Sequence, residues 1–190
     1  ALVRFDYNTL SKDTNHLPPQ VVIQGIKIHE EKMCWYNLIA SKYDSLTVSQ
    51  QEIASTGKVL LPLERDSAQL KFSGIQFDSI TPFYPLPVNL VLPYEHNRIS
   101  FEFAAIEPAR PYLIKYQYFL EGYDQEWSSL KEKTDVSYTN AYEGTYTFKV
   151  RARSADGIWS QTVEYPFRVL PPWWRTWWAY ILYILLIGWA

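Results

Sequence analysis

Apolar and polar residues alternate along the second half of the chain with a period of two, the pattern of half-buried β-strands. The alternation is clearest at 144–154, where the apolar face consists of Tyr146, Phe148, Val150 and Ala152. The same pattern predicts further strands at 97–105, 115–121, 135–140 and 162–170. Pro166 lacks an amide hydrogen, so we expect the last of these strands to lie at a sheet edge.

The first half alternates less regularly. The run 20–29 changes its apolar phase at Gly25, which predicts a strand with a β-bulge at that glycine. Two more strands are expected, at 58–64 and 69–77, and one helical turn, at 49–54.

The predicted strands recur at intervals of about 8–15 residues, with no sustained helical period. One apolar face per strand indicates antiparallel sheets. An isolated hairpin could not bury the aromatic residues, which make up 17% of the chain, so two facing sheets are needed. The predicted fold class is therefore all-β, an antiparallel β-sandwich like those of immunoglobulin and fibronectin type III domains.

The last residues, 170–190, read LPPWWRTWWAYILYILLIGWA. Tryptophan and tyrosine favour the membrane–water interface, and leucine and isoleucine favour the hydrocarbon. No side chain after Arg175 carries a formal charge. We therefore expect the start of a transmembrane helix, either barely long enough to span the bilayer or cut short where the sequence ends. The competing interpretation is a buried aromatic helix or strand of a soluble domain.

Composition excludes some classes of protein. The net charge of −2 offers no basic surface for nucleic acid. The single cysteine, Cys34, excludes an internal disulfide. The sequence begins without Met or a signal peptide although its character is that of an exported protein, so we expect it to be part of a longer chain.

No catalytic or metal-binding pattern is present in the sequence. Glu30 and Glu31 lie in a charged stretch, where a solvated surface explains them better than the converging carboxyls of a glycosidase. His16, His29 and His96 are far apart in sequence and have no metal-ligand neighbour at a useful spacing. We therefore expect a non-enzymatic chain without cofactor or metal.

A set of tyrosines, glycines and tryptophans in the second half has a recognisable spacing. It reads Tyr116-x-Tyr118-x-Leu120-x-Gly122-x-Asp124-x-x-Trp127, then Tyr138-Thr139-Asn140, then Gly144-x-Tyr146-x-Phe148. This set closely resembles the three-Y (YYY) domain, the membrane-proximal extracytoplasmic domain of two-component sensors, particularly the hybrid histidine kinases of gut Bacteroidetes. The LPPWW-x-x-WW exit towards a membrane helix is similar to theirs as well.

We expect these motif residues to be structural. Tyr116, Tyr118 and Leu120 share one strand face and belong in the core, with the tyrosine hydroxyls at the rim. Tyr146 follows a turn glycine and is placed to close a tyrosine corner. Gly122 suits a turn position that needs positive φ.

The resemblance implies a division of the chain. Residues 1–17 would be the closing strand of an upstream β-propeller plus a linker, and 18–170 the three-Y sandwich with an irregular, insertion-like part at 31–87. Residues 171–190 would form a Pro-Pro joint and the transmembrane helix. The resemblance also implies that 1–170 lie in the periplasm, beside the inner membrane. It further implies a homodimer, an oligosaccharide ligand bound through the propeller, and a full-length histidine kinase.

The joint is the expected route of the signal. Its two prolines fix φ near about −65° and cannot continue a sheet. Its tryptophans would set the depth and tilt of the helix, and its arginine would reach the lipid headgroups. The residues assigned to the joint and anchor are Pro171, Pro172, Trp173, Trp174, Arg175, Trp177 and Trp178.

The alternative function is a carbohydrate-binding β-sandwich module of a membrane-anchored surface protein. Exposed aromatic rings can stack on sugar rings, although each such residue can equally belong to the core or an interface. The candidate ligand-binding residues are Trp35, Tyr36, Phe83, Tyr84 and Trp127.

Overall fold

The computed structural model describes residues 18–42, 44–107, 110–175 and 177–189. The expected propeller strand within 1–17 lies outside the described residues. The strands are β1 (Gln20–Ile28), β2 (Glu31–Lys32), β3 (Ser79–Ile80), β4 (Pro87–Val88), β5 (Leu90–Leu92), β6 (Ile99–Ile106), β7 (Lys115–Glu121), β8 (Asp135–Tyr138), β9 (Gly144–Arg153) and β10 (Val163–Val169). The helices are α1 (Ser45–Thr56), α2 (Pro62–Lys71) and α3 (Trp177–Trp189), with 3₁₀ turns at Trp35–Lys42, Tyr94–His96, Pro111–Leu113 and Trp173–Arg175.

Two four-stranded sheets form the body of the protein. The first has the order β2-β1-β6-β8 and the second β5-β10-β9-β7, while β3 and β4 form a separate pair. All pairs in the two large sheets are antiparallel except β5 with β10, which is parallel. The predicted all-β sandwich is confirmed.

Aromatic rings from both sheets fill the space between them. Phe101 of β6 and Phe148 of β9 stack with ring centroids 4.0 Å apart and planes 3° from parallel. Phe167 packs against Phe101, and Phe103 against Phe148. All four rings are buried, and burying each contributes about 1.5–3 kcal/mol.

The predicted β-bulge in β1 is confirmed. The register against β6 shifts between Ile23 and Gly25. Because of this shift Val21, Ile23, Ile26 and Ile28 are all buried despite their change of phase in the sequence.

The two strands predicted at 58–64 and 69–77 are wrong, because α2 and its flanking turns occupy most of this segment. At its end Gln76 forms a single antiparallel bridge with Val91 of β5. Pro62 stands in the first turn of α2, and the Glu64 carboxylate accepts the Leu61 N–H at 2.9 Å. These are helix-start signals. Leu70, which falls within the predicted strand 69–77, lies on the outside of α2 with 76% of its surface exposed.

The helical turn predicted at 49–54 is confirmed and belongs to the longer helix α1. Asp44 caps α1 by accepting the Thr47 N–H, and Gly57 ends it with φ of 80°. Glu52 of α1 is fully buried and forms two contacts with Arg65 of α2, at 2.6 and 2.8 Å. This ion pair joins the two helices of the irregular segment.

The edge position predicted for the last strand is correct for only part of it. β10 lies between β5 and β9 in the sheet order. However, β5 pairs only with Phe167–Val169, so within the described ranges Val163–Pro166 has β9 as its strand partner. Pro166 therefore stands beside an open edge.

Candidate functional site

The last strand leaves the sandwich next to β5. The Leu170 N–H donates to the Leu92 carbonyl at 2.8 Å, which extends the parallel pairing of β10 with β5 by one residue. Pro171 is exposed and Pro172 is buried. The chain is therefore still held by the sandwich where it turns towards α3.

An ion pair fixes one side of this exit. Arg175 Nη1 lies 2.5 Å from Glu143 Oε1. Glu143 directly precedes β9, in the loop where the Tyr146 hydroxyl donates to the Tyr142 carbonyl at 2.9 Å. That contact has the form of a tyrosine corner. Arg175, which was expected at the lipid headgroups, here ties the exit segment to the β9 loop.

An aromatic contact fixes the other side. Trp174 meets Tyr94 of the Tyr94–His96 turn edge to face, with ring centroids 5.9 Å apart, and also contacts Trp173. Such aromatic pairs contribute about 0.5–1.5 kcal/mol beyond their buried area. We call these two contacts, Glu143–Arg175 and Tyr94–Trp174, the exit clamp.

The helix that follows is apolar in sequence, and most of its described side chains are exposed. Trp177, Ile184 and Ile187 are each about 70% exposed or more, whereas Ala179 is buried. The side chain of Trp178 lies outside what the structure describes. Within the described ranges, no helix is long and apolar enough to cross a membrane.

The motif tyrosines form hydrogen bonds that link strands and loops. The Tyr116 hydroxyl accepts the Ala105 N–H at 3.0 Å, and the Tyr118 hydroxyl accepts from Lys131 Nζ at 2.9 Å. The Tyr138 hydroxyl donates to Asp124 Oδ2 at 3.0 Å. Burial, and then the negative charge of Asp124, raise the pKa of Tyr138, so its hydroxyl stays protonated.

Two motif positions need a left-handed backbone. Gly122 has φ of 92°, and a Cβ placed there would lie 3.1 Å from the Tyr146 ring and 3.2 Å from the Thr145 carbonyl. Asn140 has φ of 57°, and asparagine is among the non-glycine residues that tolerate it best. Asp124 Oδ2 accepts the Leu120 N–H at 2.8 Å and so closes the turn after β7.

The five candidate ligand-binding residues do not form one site. Trp35 and Tyr36 are buried, and Trp35 packs edge to face on Phe77. Phe83 is 85% exposed and contacts Tyr84, which is half-buried. Both line a groove of about 450 Å³ between the segment 81–89 (which includes β4), β1 and the open half of β10.

Trp127 lies on the outer face of the second sheet, away from that groove. The Arg151 guanidinium is 4.3 Å from the centre of the Trp127 ring and 4.4 Å from that of Trp159. Arg151 Nη2 also donates to Gln117 Oε1 at 2.9 Å. A stacked guanidinium thus covers one face of Trp127, and Phe119 packs beside it.

Residues 110–170 match the family model of the Y_Y_Y domain. The resemblance to this family is confirmed. The match covers the motif tyrosines, the Tyr146 corner, Glu143 and β10, but neither the helical segment between β2 and β3 nor the exit segment after Leu170.

Two further comparisons extend beyond the Y_Y_Y match. A curated relative, "Histidine kinase P4" from Formosa agariphila, is 32% identical over 98 residues, which are 51% of this chain and 7% of the relative. The extracellular domain of the putative one component system BT4673 from B. thetaiotaomicron superposes with a TM-score of 0.50 at 20% identity. This superposition covers 84% of this chain and 16% of that one. It supports the fold, and the chain spans only a small part of both relatives.

Two residues of the exit clamp, Glu143 and Tyr94, are not among the sequence-predicted site residues. They are the partners of Arg175 and Trp174. Glu143 stands between the corner carbonyl of Tyr142 and the first residue of β9, so its place next to the Y_Y_Y motif was an available signal. Tyr94 lies eighty positions before Trp174, and nothing local marks their contact. Within the described residues no group of three or more His, Cys, Asp or Glu side chains is positioned to hold a metal ion.

Proposed function

We propose that this chain is the membrane-proximal extracytoplasmic part of a hybrid sensor histidine kinase, and that it transmits a signal from an upstream ligand-binding domain to a transmembrane helix. The observation that carries this proposal is the exit clamp, which holds an apolar helix to a Y_Y_Y sandwich. The name of the Formosa relative, a histidine kinase, supports it. The relative's greater length leaves room for sensing and kinase domains on either side.

The proposed division follows the sequence. Residues 1–17 would close an upstream β-propeller that binds a glycan-derived oligosaccharide, 18–170 would be the periplasmic sandwich, and 171–190 would enter the inner membrane. The receptor would act as a homodimer. The many exposed apolar side chains of α3 favour a lipid environment, because a water-facing helix rarely presents so large an apolar surface.

The exit clamp gives the proposal a mechanism. Several contacts hold the exit segment on different sides. They are the hydrogen bond from the Leu170 N–H to the Leu92 carbonyl of β5, the buried Pro172 and the two clamp contacts. A rotation of the sandwich therefore cannot be absorbed at the joint without breaking at least one of them. The Tyr94–Trp174 contact is worth about 1 kcal/mol, and the half-exposed Glu143–Arg175 pair about 0.2–1 kcal/mol. Together they approach the few kcal/mol that bias a two-state receptor.

Replacing Pro171 and Pro172 together by glycine tests the joint. In the full-length receptor we expect ligand binding to be unchanged and kinase output to lose its dependence on ligand, because the Gly-Gly joint can bend freely. Calorimetry would measure binding, and receiver phosphorylation would measure output. A fully ligand-responsive Gly-Gly receptor would contradict the rigid-joint mechanism.

A carbohydrate-binding module is the second candidate, and the groove at Phe83 favours it. An aromatic ring that is 85% exposed at the border of a 450 Å³ groove is a suitable platform for a sugar. Calorimetry of the 190-residue chain with a panel of oligosaccharides separates the two candidates. Binding that Phe83→Ala abolishes would favour the module, whereas binding only by the full-length receptor would favour the coupling function.

A further inference from the structure

Two histidines that are 67 positions apart in the sequence meet at the end of the sandwich where the chain exits. His29 Nε2 lies 3.1 Å from His96 Nδ1, with the ring planes at 70°. His29 directly follows β1 and is exposed, whereas His96 ends the Tyr94–His96 turn and is buried. The pair therefore has one ring at the surface and one held inside.

We propose that His29 and His96 bind a divalent transition metal ion of the zinc, copper or nickel class. Imidazole nitrogens bind such ions at about 2.0–2.1 Å, so two of them on one ion at 90–110° are about 2.9–3.4 Å apart. The observed 3.1 Å falls inside this range. An ion about 2.0–2.1 Å from both nitrogens would lie to one side of the line that joins them, so each ring would turn its lone pair towards that point.

The surroundings of His96 leave its Nδ1 available to a metal. His96 Nδ1 faces the exposed His29, and burial of His96 restricts the movement of its ring. The Phe72 ring, with its centroid 5.9 Å from that of His96, further restricts the imidazole.

The backbone of His29 is also fixed in an unusual conformation. His29 and Glu30 have φ of 54° and 65°, two successive non-glycine residues in the left-handed region. The His29 N–H donates to the Arg98 carbonyl at 3.0 Å and holds this turn against the start of β6. Strain of about 1–2 kcal/mol per residue persists only where the surroundings impose it, and such positions are frequent at binding sites.

The site would be open. No third protein ligand completes it within the described residues, and Glu30 Oε1 lies 4.0 Å from Arg98 Nη1. Water would fill the remaining positions, and the ion would enter past the exposed His29. A bound ion would join the end of β1 to the turn that carries Tyr94 of the exit clamp. This inference does not depend on the proposed function.

The test is a titration of the 190-residue chain, purified without a polyhistidine tag, with Zn²⁺ and Ni²⁺ in a calorimeter. We expect one ion per chain and an increase in Tm with metal. His29→Gln should weaken binding by about tenfold or more. The glutamine amide can still donate to His96 Nδ1, so circular dichroism should show an unchanged fold. His16→Gln, which changes the remaining histidine of the chain, is the matched control and should bind like the parent.

X-ray absorption of the zinc-loaded parent protein gives a readout that needs no variant. Two imidazole nitrogens at the zinc distance would support the proposal. Absence of binding, equal binding by the parent and His29→Gln, loss of binding in His16→Gln, or fewer than two imidazoles on the ion would each overturn it.

Discussion

At the scale of single residues, glycine and tyrosine of the Y_Y_Y motif depend on each other through space. Gly122 lets the turn after β7 approach the Tyr146 ring so closely that an added Cβ would lie 3.1 Å from it, a tight contact. Tyr146 in turn donates to the Tyr142 carbonyl and keeps Glu143 beside Arg175. The motif therefore positions the exit clamp even though none of its tyrosines takes part in the clamp.

Gly122→Ala should destabilise the chain by about 2–3 kcal/mol. About 1 kcal/mol comes from the left-handed φ of 92° and the rest from contacts of the new methyl group with Tyr146 and Thr145. Urea unfolding would measure the loss. Gly57→Ala is the matched control, because Gly57 has φ of 80° but open space around it. If the two substitutions lowered the free energy of unfolding equally, the close approach of Gly122 to Tyr146 would contribute nothing to stability.

At the scale of elements, the predictable parts of the chain are those whose structure follows from the pattern of neighbouring residues in the sequence. In β9 each alternate residue faces the core, so the periodicity was sufficient to place Phe148 and Val150. The bulge in β1 was visible because Gly25 separates two apolar phases. The strands predicted in segment 58–77 are wrong because its apolar pattern does not follow burial. Leu63 and Leu70 are exposed on α2. The buried residue that contacts this helix, through Arg65, is the charged Glu52.

The same limit applies to the candidate site. The tryptophan-rich exit is conspicuous in the sequence, but the residues that receive it are not. Tyr94 and Glu143 reach Trp174 and Arg175 only because β5, β9 and β10 are neighbours in one sheet. His29 and His96 likewise meet only through the β1–β6 pairing. Contacts of this kind depend on which strands are neighbours in a sheet, and the alternation of apolar and polar residues does not specify the strand order.

The α1–α2 pair should lose stability on acidification. The Arg65 guanidinium, which hydrogen-bonds to the Glu52 carboxylate, lowers the pKa of Glu52 below its ordinary value of 4.5. A carboxyl with a depressed folded pKa stabilises the fold fully above its unfolded pKa, and this contribution is lost as the pH falls through the folded pKa. Glu52→Gln should therefore cost about 2–3 kcal/mol at pH 7 and progressively less below about pH 4.5. Urea unfolding of both proteins between pH 7 and 3 measures this difference.

Glu64→Gln is the matched control for that prediction, since Glu64 pairs with Lys58 on the exposed face of α2. Its effect on the free energy of unfolding should stay well below that of Glu52→Gln. A pH-independent cost of Glu52→Gln would contradict the assignment of its stabilising effect to the ionised carboxylate.

At the scale of the whole molecule, the exit clamp predicts that charge, rather than residue identity, links Glu143 to Arg175. Under the proposed signal-transmission function, Glu143→Arg and Arg175→Glu in the full-length protein should each reduce ligand-dependent output several-fold, because like charges would then face each other at the joint. The double exchange should restore part of it. Receiver phosphorylation as a function of ligand concentration would measure the output.

The control for this charge exchange is Lys133→Glu, which breaks the surface pair with Asp135 away from the exit and should leave output unchanged. If the double exchange gave no more ligand-dependent output than the worse single variant, the Glu143–Arg175 ion pair would have no part in the mechanism.

Pro166 should also protect the protein from aggregation through strand pairing between chains. The first half of β10 is paired with β9 on one side and stands beside an open groove on the other. A proline in a strand fits where its nitrogen points away from the ladder, so the edge facing the groove lacks a donor at the middle residue of β10. An incoming strand from a second chain would find its hydrogen-bonding pattern interrupted there. Pro166→Thr would complete that edge, and we expect faster aggregation of the chain by light scattering with little change in its unfolding midpoint.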